Sequence, residues 1–425
     1  MLKELLVIIG VVSLFVNLYW LVLYFFYGKK IFTENLSKKK RFVSILVPAY
    51  NEGVNVIPCL ESLVGLDYDK NYCEVIVVDD GSSDNTFDVA KSFALKFPFI
   101  KVFRNEKNSG MKSKALNIAL KKISKKSEIV VVLDADSVVN SDTLRKVLTF
   151  FDNGYDAVSM RYMPLNRKSI LAKFQVFEYM YSALWRKILS ILNSMYVTPG
   201  VFSAYTLKSL KKVGYFRSDC LTEDMELALR FQKAGFKIGY SFTTTAYTKV
   251  PESLSKFIKQ RERWYRGYLD SMRIHKDVLF NTRFGNFGAI MMPINIISSS
   301  LVIVISFTIM YTVLKSFFDV FTIFYKFYLI NFDLITYFSS IDFTSFVFYD
   351  WFKHVLLQLD LFSFVAFFSL VLAFIMLYIV KKKTGEAQGK DLLLFPFFLL
   401  FYLPLNSMLW LYSLTLEFFR AGKKW

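Results

Sequence analysis

The chain has 425 residues, of which 54% are hydrophobic and 18% aromatic, and its formal net charge is +18. This length allows more than one domain, and the apolar content indicates membrane insertion. Because Lys and Arg prefer the cytoplasmic side of membrane segments, such segments account for much of the positive charge. Two histidines and three scattered cysteines argue against a zinc site, a His-based catalytic triad and a disulfide framework.

An uninterrupted apolar run covers residues 5–27 and has the length of a membrane-spanning helix. A signal peptide is the alternative, but the run is too long for one and lacks a small-residue cleavage site. Lys29, Lys30 and the basic stretch 38–41 follow it. Because such cations stay in the cytoplasm, the N-terminus is predicted to lie outside and the following chain inside. We therefore predict an N-terminal membrane helix and a basic linker over residues 1–36.

Residues 37–270 have the composition of a soluble α/β domain. Short β-branched runs that end in polar residues alternate with helical stretches, which predicts a mostly parallel sheet. The predicted strands are residues 42–50, 73–80 and 128–136, and helices are predicted in segments 86–97 and 110–123. In such sheets ligands bind beyond the carboxyl ends of the strands. The side chains predicted at this crevice are Tyr50, Asp79, Asp80, Asp134 and Asp136.

The C-terminal part, residues 271–425, is predicted to start with an interface helix and to return to the membrane. The predicted spans are residues 289–314, 356–380 and 391–417. An aromatic segment between the first two contains Asp319, Lys326 and Asp333 and is interpreted as external or interfacial. The basic segment 381–390 is predicted to be cytoplasmic. A basic C-terminus would then lie outside, against the positive-inside preference, unless the last span is a re-entrant hairpin.

The acidic stretches each allow two interpretations. Residues 79–86, DDGSSDNT, can be a plain capped turn that leads into a helix. Asp134 and Asp136 can be merely solvated, or they can hold a hard divalent cation, since Mg²⁺ is bound by one or two carboxylates together with substrate phosphates. Asp224 can belong to the acidic first turn of a helix capped by the threonine of LTED, or it can be a general base that faces the crevice.

Two further stretches combine basic and polar residues. Residues 108–117 resemble a phosphate-binding turn with Lys112 in the following helix, although the glycine spacing is not that of a Walker A motif. Gln260, Arg263 and Trp264 share one helix face, which suits sugar stacking and pyrophosphate contact. The alternative is a basic amphipathic helix on lipid headgroups with the tryptophan as an anchor. The basic residues that favour this alternative are Lys256, Lys259, Arg261, Arg266 and Arg273.

Taken in order, these stretches resemble one known family. VPAYNE, VVDDGSSD, NSGMKSKALN, LDAD, TPGVFSAY, TED and QRERW precede a cluster of apolar segments. This order resembles that of the processive family 2 glycosyltransferases, which include the synthases of cellulose, hyaluronan and poly-N-acetylglucosamine. The resemblance is close over residues 42–264 and looser over the membrane segments. It implies an α/β GT-A fold, a UDP-sugar donor and a Mg²⁺ or Mn²⁺ cofactor.

The resemblance assigns the donor site to residues at the strand ends. The residues that would hold the uridine are Tyr50, Glu52 and Asp80. Lys112 would contact the phosphates of the donor, although Met111 separates it from Gly110, where many relatives place lysine directly after glycine. Asp134 would lie near the donor, and Asp136 would bind the metal ion.

The resemblance assigns catalysis and acceptor binding to later segments. Asp224 would deprotonate the acceptor hydroxyl, with Glu223 beside it in the same catalytic motif. The residues that would bind the pyrophosphate and the acceptor sugar are Gln260, Arg263 and Trp264. Residues 198–205 would lie along the acceptor path. Members of the family invert the anomeric centre by a single displacement, so no protein nucleophile is expected.

The resemblance thus predicts an inverting enzyme of the cell membrane, with a cytoplasmic catalytic domain, that elongates a β-linked polysaccharide and exports it. A glycan or lipid-linked acceptor and membrane lipids are the other expected partners, and residues 168–190 are interpreted as a helix at the membrane interface. The lack of a soluble domain after the spans departs from bacterial cellulose synthases. Transfer of one sugar to a lipid-linked acceptor and a catalytically dead scaffold stay open as alternatives. Nucleic-acid binding is not expected, because no RNA- or DNA-binding motif is present.

Overall fold

The computed structural model describes residues 2–31, 34–329, 361–387 and 389–419. The first helix, α1, runs over Leu2–Ile31 and contains the predicted N-terminal apolar run. A linker then leads into the α/β domain. Its residue Glu34 forms an ion pair with Lys187 at 2.9 Å, so the linker is attached to the body of the domain.

An eight-stranded sheet forms the centre of the α/β domain. Its strands are β1 Val43–Ala49, β2 Cys73–Asp79, β3 Ile100–Arg104, β4 Ile129–Val132, β5 Ser137–Val139, β6 Ala157–Pro164, β7 Ser203–Thr206 and β8 Ile238–Thr248. Their order in the sheet is β3-β2-β1-β4-β7-β6-β8-β5. The half formed by β3, β2, β1 and β4 is parallel, as predicted.

The other half of the sheet contains two strands, β5 and β7, that run against the direction of the rest. Strand β7 is antiparallel to both β4 and β6, and β5 is antiparallel to β8. The sheet is therefore mixed, because β7 enters it beside β4 in the opposite direction and does not continue the strand–helix–strand pattern.

The helices of this domain follow the strands closely in the chain. They are α2 Val56–Val64, α3 Thr86–Ala94, α4 Lys112–Leu120, α5 Thr143–Asp152, α6 Ile170–Ile191, α7 Leu207–Val213, α8 Glu223–Lys233 and α9 Leu254–Ile274. Helix α2 shows why they pack: Val56, Cys59, Leu60 and Leu63 are its buried residues, at the spacing of one apolar helix face. All four residues from 75 to 78 in β2 are fully buried, as expected for a parallel strand covered on both faces.

Three long helical segments follow the α/β domain. They are α10 Met292–Leu329, α11 Leu361–Thr384 and α12 Leu403–Phe418. Helix α10 continues through Asp319 and Lys326, so the segment interpreted as external or interfacial begins as part of the same helix. A single charged residue does not end a helix as Gly or Pro does. Asp333 and the first five residues of the predicted span 356–380 lie outside the described residues.

Among the residues that the structure describes, one helical stretch is both long and apolar enough to cross a membrane, and it runs over Gly389–Phe418. The segment before it, predicted to be cytoplasmic, contacts the α/β domain. Glu386 pairs with Arg167 at 2.8 Å, and Asp391, near the start of the apolar stretch, pairs with Lys173 at 3.1 Å. This part of the chain therefore packs against the α/β domain.

Candidate active site

A cavity of about 480 Å³ lies beyond the carboxyl end of β4. The predicted site residues that line it are Lys112, Asp134, Asp136, Glu223, Asp224, Gln260, Arg263 and Trp264. These residues come from four separate parts of the chain, and the fold brings them together. The other predicted residues, Tyr50, Glu52 and Asp80, do not belong to this lining. We call Asp134, Asp136, Glu223 and Asp224 the acidic centre.

Asp134 and Asp136 enter the cavity because β4 ends directly before them. The residues of β4 itself are buried, so the polar side chains begin where the sheet stops. Asp136 Oδ1 accepts hydrogen bonds from Ser137 Oγ and Thr248 Oγ1, each at 3.2 Å. Burial and repulsion by Asp134 nevertheless raise the pKa of Asp136 to about 6. Two adjacent carboxylates in this environment favour the binding of a cation.

Glu223 and Asp224 occupy the first turn of α8. Thr222 stands at the N-cap position, but its side chain makes no capping hydrogen bond. Its Oγ1 is buried without a partner among the described atoms, and its side chain packs against Gly267. The acidic residues thus occupy the first helical turn as predicted, but the side chain of Thr222 does not cap the helix. Burial raises the pKa of both carboxyls, and the nearby charge of Lys112 opposes this rise.

Lys112, the first residue of α4, extends into the acidic centre. Its ammonium donates a hydrogen bond to Asp134 Oδ1 and lies 3.8 Å from Glu223 Oε1. Burial lowers the pKa of Lys112, but attraction by these two carboxylates outweighs burial and raises it to about 12. The preceding Met111 has an extended backbone with φ −154° and ψ 133°. The residue that separates Lys112 from Gly110 is thus accommodated before the helix begins.

Tyr50 and Glu52 follow β1 at the edge of the site. Tyr50 is 42% exposed, so its ring is available to a ligand. Burial and repulsion by Asp136 raise the pKa of Glu52 to about 7, and the charge of Lys249 opposes this rise. Glu52 is therefore electrostatically coupled to the acidic centre, although it does not line the cavity.

In the turn after β2, one aspartate forms a capped turn and another is buried. Asp84 Oδ1 accepts a hydrogen bond from the backbone N–H of Thr86 at 3.0 Å, as in a capped turn. Asp80 is turned the other way and is buried. Its hydrogen-bond donors include Asn105 Nδ2 and Ser109 Oγ, each at 2.7 Å. Asp80 therefore holds the loop that leads to Lys112.

Helix α9 presents Gln260, Arg263 and Trp264 to the same cavity. Gln260 Oε1 is buried and has no hydrogen-bond partner among the described atoms. Arg261 fixes this part of the helix, because it pairs with both carboxylate oxygens of Glu178 at 2.6 and 2.7 Å. Its guanidinium also lies 4.4 Å from the ring centroid of Trp264, which orients the indole.

The basic residues of α9 do not all fit a helix that lies on lipid headgroups. Arg261 and Arg266 are 2% exposed, and Arg266 Nε bonds Glu417 Oε1 at 2.8 Å. These two arginines connect α9 to α6 and to the C-terminal helix and are not available to lipid. Lys256, Lys259 and Arg273 are exposed, so the headgroup alternative applies to these three alone.

Helix α6 forms a wall of the cavity that the sequence analysis missed. It was interpreted as a helix at the membrane interface, yet Glu178, Ser182 and Arg186 line the cavity. These polar residues recur every four positions in a mostly apolar helix, and this spacing was the signal that could have revealed them. The cavity also reaches the C-terminal helices, through Asn295 of α10 and Trp410 of α12.

Segment 198–205, predicted along the acceptor path, also contributes to the site. Pro199, Gly200 and Val201 line the cavity. Gly200 lies directly beside the ammonium of Lys112, so this part of the segment is next to the acidic centre.

The chain matches known proteins over the α/β domain. Residues 40–267 match the family described as glycosyltransferase like family 2. The poly-beta-1,6-N-acetyl-D-glucosamine synthase of Staphylococcus epidermidis is 32% identical over 269 residues, which are 60% of this chain and 63% of that protein. The synthase of the same name from Staphylococcus aureus is 31% identical over 265 residues, with the same coverage. The chain thus spans less than two thirds of the length of these relatives.

A likeness in fold accompanies the likeness in sequence. A solved mannosyltransferase from Pyrobaculum calidifontis, in complex with GDP-Man and Mn²⁺, superposes with a TM-score of 0.52 at 21% identity and covers 67% of this chain and 79% of its own. Together with the family match, this likeness shows a GT-A fold, and the family match covers more than half of the chain. The chain belongs to glycosyltransferase family 2.

Proposed function

We propose that this glycosyltransferase uses a UDP-sugar to elongate a β-linked polysaccharide, with inversion at the anomeric carbon, and moves the product toward its C-terminal helices. The observation that carries the proposal is the cavity that joins the acidic centre to Trp410 of these helices. The names of the staphylococcal relatives, poly-beta-1,6-N-acetyl-D-glucosamine synthases, make UDP-N-acetylglucosamine the first donor to test.

Donor binding is proposed for the carboxyl end of the parallel half of the sheet. Tyr50, Glu52 and Asp80 follow β1 and β2, and their position suits contacts with the uridine. Lys112 stays protonated at neutral pH and can neutralise charge on the phosphates. Arg263 is a further cation in the lining.

The acidic centre fits a divalent cation by its chemistry. Repulsion by Asp134 raises the pKa of Asp136, and a hard cation would relieve this repulsion. Within the described residues no three His, Cys, Asp or Glu side chains are grouped to hold a metal alone. This agrees with a site in which Asp136, with Asp134 beside it, supplies one or two ligands and the donor phosphates supply others. A bound Mg²⁺ or Mn²⁺ supplies neutralisation of the charge on the leaving diphosphate.

Asp224 is the proposed general base. It lines the cavity together with Trp264, and burial raises its pKa toward the range in which a carboxylate accepts a proton efficiently. Asp224 would take the proton of the acceptor hydroxyl while the hydroxyl oxygen bonds the anomeric carbon and the bond to UDP breaks. The tryptophan ring offers a stacking surface for the acceptor sugar.

A membrane location is proposed from two observations. The stretch Gly389–Phe418 is long and apolar enough to span a bilayer. Large apolar side chains of α1 and α10 are exposed, among them Phe25, Phe26, Phe317 and Phe318, and such a surface is covered by lipid in membrane proteins. The α/β domain would then lie at the cytoplasmic face, beside the basic residues after α1.

The test is incorporation from a panel of radiolabelled UDP-sugars by the purified full-length protein in lipid, with Mg²⁺ or Mn²⁺, followed by sizing of the product. We expect high-molecular-weight material from one donor. A label confined to short lipid-linked products would contradict elongation and support the transfer of a single sugar. UDP binding without incorporation from any donor would support the scaffold alternative.

A further inference from the structure

Lys112 occupies the place in the acidic centre where a cation is needed. Its ammonium donates to Asp134 Oδ1 and lies 3.8 Å from Glu223 Oε1. The side chain of Lys112 is only 15% exposed, so the surrounding atoms enclose it. The positive charge of Lys112 thus lies beside two of the four carboxylates that the fold brings into one cavity, and Arg263 is a further cation in the same lining.

Gly200 makes this position of Lys112 possible. A Cβ built on Gly200 would overlap the Lys112 ammonium and would lie 3.3 Å from Asp134 Oδ1. The backbone of Gly200 has no positive φ, so an alanine meets no backbone strain there. The atom in conflict is the end of a flexible side chain. An alanine would therefore displace the ammonium without disturbing the chain around it.

The ammonium and a divalent cation cannot occupy this place together. The ammonium of Lys112 is bonded to Asp134, the neighbour of the proposed metal ligand Asp136, and like charges at contact distance would repel strongly in a partly buried site. When the cation arrives with the donor phosphates, Lys112 has to leave Asp134. The released ammonium is then a free donor close to new negative charge, which the phosphates provide.

We propose that the ammonium of Lys112 is an internal counter-ion of the acidic centre, which the divalent cation displaces when the nucleotide donor binds. Gly200 is a positioning residue in this exchange, because its lack of a side chain leaves room for the ammonium. The inference rests on the proposed function, since it requires a metal-dependent donor site. It assigns Lys112 two successive positions, on Asp134 before the donor binds and on the donor phosphates afterwards.

The test is a Mn²⁺ titration followed by electron paramagnetic resonance, on the full-length protein in lipid nanodiscs, with and without UDP. Without UDP, Lys112→Met should raise the Mn²⁺ affinity about tenfold or more, because the competing charge is gone. Gly200→Ala should raise it by a smaller factor, because the ammonium is displaced but stays nearby. With UDP present, Lys112→Met should weaken UDP binding.

Lys114→Met is the matched control. Lys114 lies in the same helix, and its ammonium donates to the backbone oxygen of Ser109 at 3.0 Å, outside the acidic centre. Lys114→Met removes one positive charge, as Lys112→Met does, and should leave the Mn²⁺ affinity unchanged. An equal rise in this variant would show a general charge effect and overturn the exchange.

Three other results would each contradict one part of the proposal. An unchanged or lower Mn²⁺ affinity of Lys112→Met without UDP overturns the counter-ion role, whereas the donor site stands if wild-type protein binds Mn²⁺ with UDP. A loss of both Mn²⁺ and UDP binding in Gly200→Ala would make Gly200 a structural residue and overturn its positioning role. Wild-type protein that binds no Mn²⁺ even with UDP overturns the metal site itself, and the exchange with it.

Discussion

Asp224 and Asp136 have different surroundings, which suit different tasks. Asp136 lies beside Asp134 at the end of a strand and accepts hydrogen bonds from two hydroxyl groups. Asp224 begins a helix, and Lys112 and Arg263 act on it by charge. Burial raises the pKa of both carboxyls. The first arrangement favours a cation, and the second favours a base that works beside the acceptor.

Replacement of the proposed base separates catalysis from binding. Asp224→Asn should lower sugar transfer about 10³-fold, because the amide cannot accept the acceptor proton. UDP affinity should stay within about twofold, since no metal or phosphate contact is assigned to this side chain. Incorporation of labelled sugar and calorimetric UDP titration measure the two quantities.

Asp219→Asn is the control for this prediction. The side chain of Asp219 is 62% exposed and pairs with Arg217, close to α8 in sequence but outside the cavity lining. It should leave both transfer and UDP binding unchanged. An equal loss of transfer and UDP affinity in Asp224→Asn would contradict the role of a base.

Replacement of the proposed metal ligand affects binding itself. Asp136→Ala should abolish the part of UDP affinity that depends on Mg²⁺ or Mn²⁺, since a hard cation needs carboxylate oxygen ligands. Calorimetry with the metal and with a chelator measures this difference. Asp142→Asn is the control, because its carboxylate pairs with Lys146 at 2.7 Å on a neighbouring helix. Metal-dependent UDP binding that survives in Asp136→Ala would return Asp134 and Asp136 to the solvated interpretation.

Among single residues, the sequence predicted those whose side chains carry a functional group. It did not predict residues that contribute only by leaving room for another side chain. Asp134, Asp136 and Asp224 were singled out because carboxylates at strand ends and in first helical turns have few interpretations. Gly200 carries no functional group, and its role depends on a lysine 88 positions earlier in the chain. Only the folded structure brings such a pair together.

The linker after α1 contains a buried carboxylate, that of Glu34, which attaches it to the α/β domain. Glu34 accepts hydrogen bonds from Lys187 Nζ at 2.9 Å, from the backbone N–H of Phe242 at 2.8 Å and from Thr243 Oγ1 at 2.7 Å. Burial opposes the charge of Glu34, but these partners outweigh burial and hold its pKa below the usual value. The contacts join the linker to α6 and β8, two elements that support the cavity.

This lowered pKa gives the stability of the protein a defined pH dependence. A carboxyl with a lowered pKa in the folded state stabilises the protein above its unfolded pKa of about 4.3, and this stabilisation is lost as the pH falls through the folded value. Glu34→Gln should therefore lower the midpoint of thermal unfolding at pH 7 by about 5–10 °C, since it leaves Lys187 buried without its charge partner. At pH 3 the difference from wild type should be much smaller.

Glu128→Gln provides the control for this measurement. The side chain of Glu128 is 53% exposed and lies 3.5 Å from Arg41, so its replacement should have little effect at either pH. A difference between Glu34→Gln and wild type that is equal at pH 7 and pH 3 would show that the carboxylate charge does not stabilise the linker.

At the scale of elements, the parallel half of the sheet followed from local pattern. Strands β1, β2 and β4 are β-branched runs, and helices lie between them in the chain, which leaves few topologies. Strands β5 and β7 have three and four residues and pair with strands far away in the sequence. A run that short has no distinct period, so neither strand was predicted, and the reversed direction of these two strands was missed.

In the molecule as a whole, the cavity that contains the candidate site residues lies where the α/β domain meets the C-terminal helices. Composition alone predicted this division into a soluble domain and apolar helices. It did not predict that both would line one cavity, because the contacts of Tyr265 and Tyr268 with α12 join residues more than 140 positions apart. Trp410 of α12 stacks on Tyr265, with ring centroids 5.1 Å apart and planes inclined by 20°.

Trp410 therefore tests whether the cavity is the path of the product. Its ring forms part of the lining beside Tyr265 and Tyr268, where an elongating chain would stack on aromatic rings. Trp410→Ala should shorten the polymer and leave UDP affinity unchanged, because the donor residues do not touch this side chain. Gel filtration of labelled product and calorimetric UDP titration measure the two effects.

Tyr412→Ala is the matched control, since Tyr412 belongs to the same helix, is 46% exposed and does not line the cavity. It removes an aromatic ring from α12 but should leave product length unchanged. If Trp410→Ala made polymer of wild-type length, the cavity would not be the path that the product follows. Shorter product in Trp410→Ala alone, at equal UDP affinity, would instead place the growing chain in this cavity, to which both the α/β domain and the C-terminal helices contribute lining residues.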